Sequence, residues 1–539
     1  MAPPPHGTSA GASISTRAII SFALGVLALR VLATAVGTLI EGDEISIASG
    51  IAAIVRGVPG VTYRYGLQFG YYRAISLLVS ISGGDVRHIP VVMSWLSLLA
   101  GVVIPVCGLM AFRRELSARE RWMVAAILAA NPIVWMSARY GNTAMPSAAL
   151  TAAAFTILSN RPKRWGEVLA LALFAAGITM RADAVLVSGG LLVILWRTHG
   201  SLMRATLRVG AVGVVIAAIM LALRAADPYM ESVGRELSSH IENPITTRFF
   251  EYLLWAMSPF PLLFAAAGFR ETSRERSALF LTLLAWIGPP FAFYFTNTTT
   301  PRYVLQGIFP LAIAAAIGML AFVEGSAVRR RVAWGAILSL GFLHLFIGLS
   351  EFSPNDPRSI IKRAEIGSDD GKVWLGALLY KSYVQRPLHL GRLVQSRFQP
   401  STSGELTFTA VFDSLASGSR RGARVVIANG GGYANTMHLF ANLAGATPVN
   451  WTPGTVYDGE CEFELGGARI GVVGLSLLRK TDRRIDLRAG DELWVVARDS
   501  SAGFDGLAGH LPDHLIINAQ PAWGSAPRLV RYLVRERAP

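Results

Sequence analysis

The chain has 539 residues, 52% of them hydrophobic and 16% charged, with a mean hydropathy of +0.44, a balance that excludes an ordinary soluble globular domain. Its net charge of +15 comes mostly from the apolar part before residue 350, where it sets membrane orientation and attracts anionic lipid; nucleic acid is not an expected partner. Two cysteines, Cys107 in an apolar run and Cys461 in the distant tail, leave no disulfide framework and no thiolate metal site.

The opening MAPPPHGTSAGAS predicts a disordered cytoplasmic leader over 1–16. Residues 17–40 follow with no small-residue cleavage site and read as an uncleaved signal anchor. Further apolar runs long enough for a hydrocarbon core of about 30 Å lie near 90–112, 122–138, 143–159, 165–181, 183–197, 206–224, 251–269, 278–296, 303–323 and 332–350. The expected fold class is therefore a polytopic α-helical membrane protein of about eleven transmembrane helices over 17–350.

Residues 67–82 are the contestable twelfth run. With this segment on the membrane rather than through it, every second loop is basic: Arg113, Arg114, Arg119 and Arg121; Arg161, Lys163 and Arg164; Arg197, Arg204 and Arg208; Arg270, Arg274 and Arg276; Arg329, Arg330 and Arg331. Were it to span, all five clusters would lie outside, against the bias that places Lys and Arg in the cytoplasm. The pattern predicts a cytoplasmic N-terminus, with the first loop (41–89) and the tail (351–539) outside an inner membrane. High Arg, Ala and Gly content resembles a high-GC bacterial genome.

The first loop opens on Glu41, Asp43 and Glu44, where ionised carboxylates are costly unless they face water or a partner. Either they end a helix in solvent, or they floor a water-facing site. The sequel favours the site: Tyr63, Arg64, Tyr65, Tyr71, Tyr72 and Arg73 stud a segment too polar to span and too apolar for a free loop, expected along the membrane face. At the outer ends of later helices stand Pro146, Pro301 and the Arg181 to Asp183 turn, which hold neighbouring helices close enough to wall a cavity. The loop at 225–250, with periodic Tyr229, Val233, Leu237 and Ile241, predicts a short surface helix and a lid.

From about 351 the pattern changes to short strands at GKVWLGALL, ARVVIANGGG, ELWVVAR and HLIIN, with a helix over 433–444, which predicts a periplasmic α/β domain over 351–539. The NGGGYAN string at 429–435 reads as a tight strand-to-helix turn, since it lacks the spacing of a phosphate loop. WTPGTVYDG at 451–459 fits either a carbohydrate contact or a buried tryptophan beside a turn.

The outward-facing set is Asp43, Glu44, Arg64, Arg73, Arg139 with Tyr140, Arg181 with Asp183, and Arg302 with Tyr303. Arginines on that side each want an anion, and phosphate is the obvious one; taken singly, each is equally an interface anchor on lipid headgroups. His88, His240 and His344 are scattered, without HExxH or paired spacing, and read as ordinary polar or packing histidines. No cofactor is otherwise expected; Mg²⁺ or Mn²⁺ held by Asp43 and Glu44 is an open alternative.

The acidic GDE after the first span, GGDVRHIPVVMSWLSLLAG leading into the second, AANPIVWMSARYGNTAMP, TMRADAVLV and TTTPRYVLQGIFPLAIA together resemble the GT-C superfamily of integral membrane glycosyltransferases over residues 17–325. The nearest type is the protein O-mannosyltransferase and lipid A aminoarabinose transferase one. The resemblance implies transfer of a sugar from a polyprenyl-phosphate carrier to an extracytoplasmic glycan, lipid or protein. It places Asp43 or Glu44 at the essential acidic position and Arg302 at the lipid phosphate. No WWDYG-type motif is present, so transfer of a whole oligosaccharide to asparagine is not expected.

Displacing a lipid phosphate from an anomeric carbon needs a base on the attacking hydroxyl and relief of charge on the leaving group. In this assignment Asp43 is the base and Glu44 orients the acceptor, with the order reversible; Arg302, Arg64 and Arg181 bind the phosphate. Tyr63, Tyr65, Tyr303, Arg139, Tyr140 and Asp183 contact sugar or lipid. The rival classes are a lipid-sugar transporter or flippase, expected to show internal pseudo-symmetry that this sequence lacks, and a non-catalytic envelope assembly protein, which would tolerate neutralisation of Asp43.

Overall fold

A computed structural model describes residues 14–34, 43–57, 68–138, 141–226, 253, 257, 259–297, 304–324, 326–335, 424–429, 446–451, 461–474, 484–496, 510–511, 515–520 and 529–536. Its helices are α1 (Thr16–Thr34), α2 (Asp43–Val55), α3 (Phe69–Ile81), α4 (Ile89–Met110), α5 (Ala118–Ala130), α6 (Pro132–Ala138), α7 (Ala144–Ser159), α8 (Arg164–Met180), α9 (Ser188–His199), α10 (Leu202–Ala226), α11 (Pro259–Glu275), α12 (Ser277–Asn297) and α13 (Leu305–Val323). The chain divides into two compact units, one of residues 1–39, 93–222 and 235–393, the other of 40–92, 223–234 and 394–539.

The first unit is a helical bundle. Four described helical stretches are long and apolar enough to cross a membrane: Val86–Met110, Leu202–Leu223, Ser277–Tyr294 and Leu305–Val323. The first expected span coincides with α1, Thr16–Thr34, of 19 residues, and eleven remains an expected number. α13 is buried along nearly its whole length, whereas α10 exposes Val214, Leu221 and Leu207 to the surroundings, the apolar exterior that lipid requires.

Local chemistry sets the helix ends. Ser117 and Glu120 form a capping box at the start of α5, Ser117 Oγ accepting from Glu120 N at 3.2 Å and Glu120 Oε2 from Ser117 N at 2.6 Å. The expected run 122–138 is two helices. Asn131, forced into extended backbone by the following Pro132, ends α5, and its Oδ1 caps α6 by accepting from Ile133 N at 3.0 Å and Val134 N at 3.2 Å. The expected run 183–197 starts as a 3₁₀ turn over Ala182–Val187 before α9. α11 lies later than the 251–269 expected for it, and of 332–350 only residues up to 335 are described.

Small residues carry the tightest crossings. At Gly268 and Gly318 the backbones of α11 and α13 touch, with no room for a Cβ on either. Gly190 of α9 seats against Trp286 and Phe155, whose rings stack with centroids 3.6 Å apart. α9 begins part-way along this unit, where Gly189 meets Ala285 of α12, and runs to the end that holds Arg197. One end gathers the basic loops: Arg113 N donates to Asn160 Oδ1 at 3.2 Å, Arg197 pairs with Glu115, and Arg276 Nη1 reaches Glu120 Oε1 at 2.7 Å. The alternation of basic loops expected from sequence thus gathers these clusters on a common face.

The second unit holds α2, α3 and a seven-stranded mixed sheet. The strands are β1 (Arg424–Asn429), β2 (Thr447–Trp451), β3 (Cys461–Leu465), β4 (Ala468–Gly474), β5 (Glu492–Val496), β6 (Leu515–Gln520) and β7 (Leu529–Glu536). Their spatial order is β2-β3-β4-β1-β5-β7-β6, with β1 parallel to β4 and β5 and the other pairs antiparallel. Alternating side chains, Phe463, Leu465, Ile470 and Val472 among them, are buried on the sheet. Expected strands at ARVVIAN, ELWVV and LIIN coincide with β1, β5 and β6. The expected strand at 371–379, the helix at 433–444, residues 430–435 and 452–459, and the loop at 227–250 with its lid lie outside the described residues.

Candidate active site

The acidic stretch begins α2, with Asp43 its first residue. Glu44 is 1% exposed; its carboxylate is turned into the protein, where the charge of Glu44 acts on Tyr71 of α3. Tyr71 and Tyr72 are both fully buried, and the Tyr72 ring lies on Gly50, where an added Cβ would meet Tyr72 Cε1 at 2.9 Å. Burial first, then the negative charge of Glu44 and the neighbouring Tyr72, hold the Tyr71 phenol well above its ordinary value. The Tyr71 hydroxyl, Ser49 Oγ and Ser76 Oγ make no hydrogen bond among the described residues.

Two further contacts fix this segment. Arg56, just past α2, donates from Nη1 to the carbonyl of Ala446 at 2.7 Å, tying the helix to the residue before β2. Burial lowers the Arg56 guanidinium while Asp85 opposes that shift. Asp85 accepts from Arg87 Nε at 2.9 and 2.8 Å on its two oxygens, which holds its carboxyl below the usual value. Arg73 is exposed on α3.

In the first unit, the end opposite the basic loops carries the second polar group. Arg181 has extended backbone between α8 and the 3₁₀ turn and is 8% exposed. Its Nε donates to Asp183 Oδ2 at 2.6 Å and its Nη1 to Thr143 Oγ1 at 3.4 Å. Tyr294 of α12, 2% exposed, donates its hydroxyl to the same Asp183 oxygen. The other oxygen, Oδ1, is buried without a hydrogen-bond partner among the described residues. The guanidinium is thus held by a carboxylate two residues away, and that carboxylate by a tyrosine 111 residues away.

The loop beside Thr143 is built to stay in place. Asn142 Oδ1 accepts from Met145 N at 2.9 Å, capping α7, and Asn142 N donates to Ser97 Oγ at 2.9 Å. Gly141 lies against Met93 and Ser94 of α4, where a side chain would collide. Next to it, Gln306 Nε2 donates to Ser147 Oγ at 3.1 Å, and Ser147 Oγ to the Gly177 carbonyl at 2.9 Å.

Of the residues singled out in the sequence, the structure brings Arg181 onto Asp183 and buries Glu44. Tyr63, Arg64, Tyr65, Arg139, Tyr140, Arg302 and Tyr303, and the side chain of Asp43, lie outside the described residues. Tyr294 and Thr143 were not singled out; both follow from tertiary packing alone, although a tyrosine near the end of an apolar span is a usable sign. Among the described residues no three His, Cys, Asp or Glu side chains gather as a metal site.

The fold has known counterparts. The chain matches a crystal structure of ArnT from Cupriavidus metallidurans bound to undecaprenyl phosphate at a TM-score of 0.56, with 14% identity, over 96% of this chain and 98% of that one. The apo form of the same ArnT matches at 0.53 over the same shares. Archaeoglobus fulgidus oligosaccharyltransferase is similar at a TM-score of 0.46 and 11% identity, over 80% of this chain and 64% of that one. Neither a family model nor a curated protein matches the chain. At this identity the likeness establishes the fold: the GT-C resemblance of the sequence is matched by an ArnT-like architecture over nearly the whole chain.

Proposed function

We propose that the chain is a bacterial inner-membrane glycosyltransferase that moves a sugar from a polyprenyl-phosphate carrier to an extracytoplasmic acceptor by inverting displacement. The observation that carries this reading is the acidic pair Asp43–Glu44 at the start of α2, directly after the first apolar helix of an ArnT-like fold. That ArnT was captured with undecaprenyl phosphate supports a carrier of the same class here.

The burial of Glu44 divides the pair's labour. A carboxylate only 1% exposed is assigned to orient α2 rather than to meet an incoming hydroxyl. Asp43 is therefore assigned as the base: it takes the acceptor proton as the acceptor oxygen bonds to the anomeric carbon and the bond to the phosphate oxygen breaks. Arg302, Arg64 and Arg181 are assigned to the phosphate, whose charge rises as it leaves. Arg181 arrives already oriented by Asp183 and Tyr294, which keeps a buried guanidinium in one geometry. Glu44, buried at 1% exposure, does not fit a metal shared with Asp43 at the phosphate, so no step is routed through a divalent ion.

The test is sugar transfer by purified protein from radiolabelled polyprenyl-phosphate sugars to envelope acceptors. Asp43→Asn is expected to lower the rate by about 10²–10⁴-fold, and Glu44→Gln by less. Full transfer by both variants contradicts the assignment. Uptake of the lipid-linked sugar into vesicles without bond cleavage would instead favour the flippase reading.

A further inference from the structure

We propose that Asp183 is a built-in competitor for the guanidinium of Arg181, weighted by Tyr294, and that it acts in releasing the polyprenyl phosphate product. The inference rests on the assignment of Arg181 to the carrier phosphate, and adds Asp183 and Tyr294 as positioning residues that act through it.

The group joins one turn to one distant helix. Arg181 Nε donates to Asp183 Oδ2 at 2.6 Å, and Tyr294 donates its hydroxyl to the same oxygen. Asp183 Oδ1 is buried and receives no hydrogen bond among the described residues. The carboxylate therefore holds the guanidinium by one edge through one oxygen, not by the paired bonds of an Arg–carboxylate fork. Its other donor, Tyr294, comes from α12 and stays with Asp183 when the guanidinium turns to another anion. The Arg181 and Asp183 side chains are 10% and 13% exposed, so the pair is not sealed from its surroundings.

Before transfer the carrier phosphate is a singly charged diester. As the acceptor oxygen bonds to the anomeric carbon, the bond to the phosphate oxygen breaks, the phosphate keeps the electron pair, and Asp43 takes the acceptor proton. The product is a monoester with about two negative charges at pH 7. A guanidinium that helps this bond to break therefore grips the product harder than the substrate, and acting alone it would slow turnover at release. Asp183 offers it another anion already in place, without the cost of a second association. Tyr294 sets how strongly that anion competes: its hydroxyl takes up part of the carboxylate charge, so Asp183 yields Arg181 to an arriving phosphate and regains it as the product departs.

The experiment measures binding of undecaprenyl phosphate, a monoester, and of its methyl ester, a diester, to the purified full chain in detergent, alongside time courses of sugar transfer. Asp183→Asn is expected to raise affinity for the monoester by about tenfold or more, the range of one charge-assisted hydrogen bond, and for the diester by less. Its transfer time course should become a burst of about one sugar per chain followed by a slow phase limited by release. Tyr294→Phe keeps both charges of the pair, and so carries the test even where Asp183→Asn does not fold; it is expected to lower monoester affinity by about two- to tenfold. A purely structural role would move the two variants in the same direction or the two lipids equally, and either result overturns the proposal. Arg181→Gln should weaken both lipids. Unchanged binding in that variant would overturn the phosphate assignment itself, whereas weaker binding there without opposed shifts in Asp183→Asn and Tyr294→Phe would overturn only the competitor role.

Discussion

Asp183 decides what happens at the end of the bundle opposite the basic loops. It binds Arg181 and Tyr294 through one oxygen, so removing its charge takes an ion-pair partner from a buried guanidinium. Asp183→Asn is expected to cost about 3–5 kcal/mol of stability, read as a lowered unfolding midpoint in detergent. Arg181→Met combined with Asp183→Leu should recover most of that loss, because no lone charge remains; a double variant no better than the single one would show that the pair is not coupled. Tyr71 poses the opposite case. Its hydroxyl is buried with no hydrogen-bond partner among the described residues, so Tyr71→Phe should leave the fold as stable or raise stability by about 1 kcal/mol, and a marked loss would reveal a partner for that hydroxyl. The sequence singled out Arg181, Asp183 and Glu44 as chemically unusual for their place, but not Tyr294, whose contact closes across 111 positions. Nor did composition reveal that Glu44 faces inward while beginning the same helix as Asp43.

Among the elements, helices were the most legible because apolar length is a local property. The runs at 90–112, 143–159 and 278–296 agree with α4, α7 and α12 to within a few residues. The break at Asn131 was signalled by the Asn-Pro pair and passed over, since the apolar character continues across it. Asn131→Ala removes the cap of α6 while Pro132 still interrupts the helix, and is expected to lower stability by about 0.5–2 kcal/mol, checked by thermal unfolding. The close crossing of α11 and α13 is a harsher constraint. Gly268→Leu has no space against Ala314 and Gly318, and should abolish recovery of folded protein on size-exclusion chromatography, whereas Gly210→Leu on the exposed α10 should not. In the sheet, the strongly apolar β1 and β5 stood out, while β3, CEFEL, did not, because alternating glutamates mask a strand with one buried face.

At the scale of the whole molecule, alternation of basic loops is the feature that ties sequence to architecture. The loops around Arg113, Arg197 and Arg276 meet on one face, and we propose from the positive-inside bias that this face is the cytoplasmic one. Single cysteines placed in a Cys107→Ala, Cys461→Ser background should therefore react with an impermeant maleimide on intact spheroplasts at Ser82 and be protected at Ser201; the reverse pattern would invert the membrane orientation and move the acidic helix to the wrong side. The grouping of residues 40–92 with the tail in one compact unit was not legible, because a contact such as that of Arg56 on the Ala446 carbonyl leaves no trace in the residue pattern. No residue pattern announces a carbonyl as a partner.

The most direct measurement is the stoichiometry of products when purified protein meets a polyprenyl-phosphate sugar and its acceptor. One free polyprenyl phosphate should appear for every sugar joined, with inverted anomeric configuration, and both should vanish together in Asp43→Asn. Sugar transfer unaffected by that substitution, or carrier movement with the glycosyl phosphate bond intact, would contradict catalysis by the acidic helix that follows the first span.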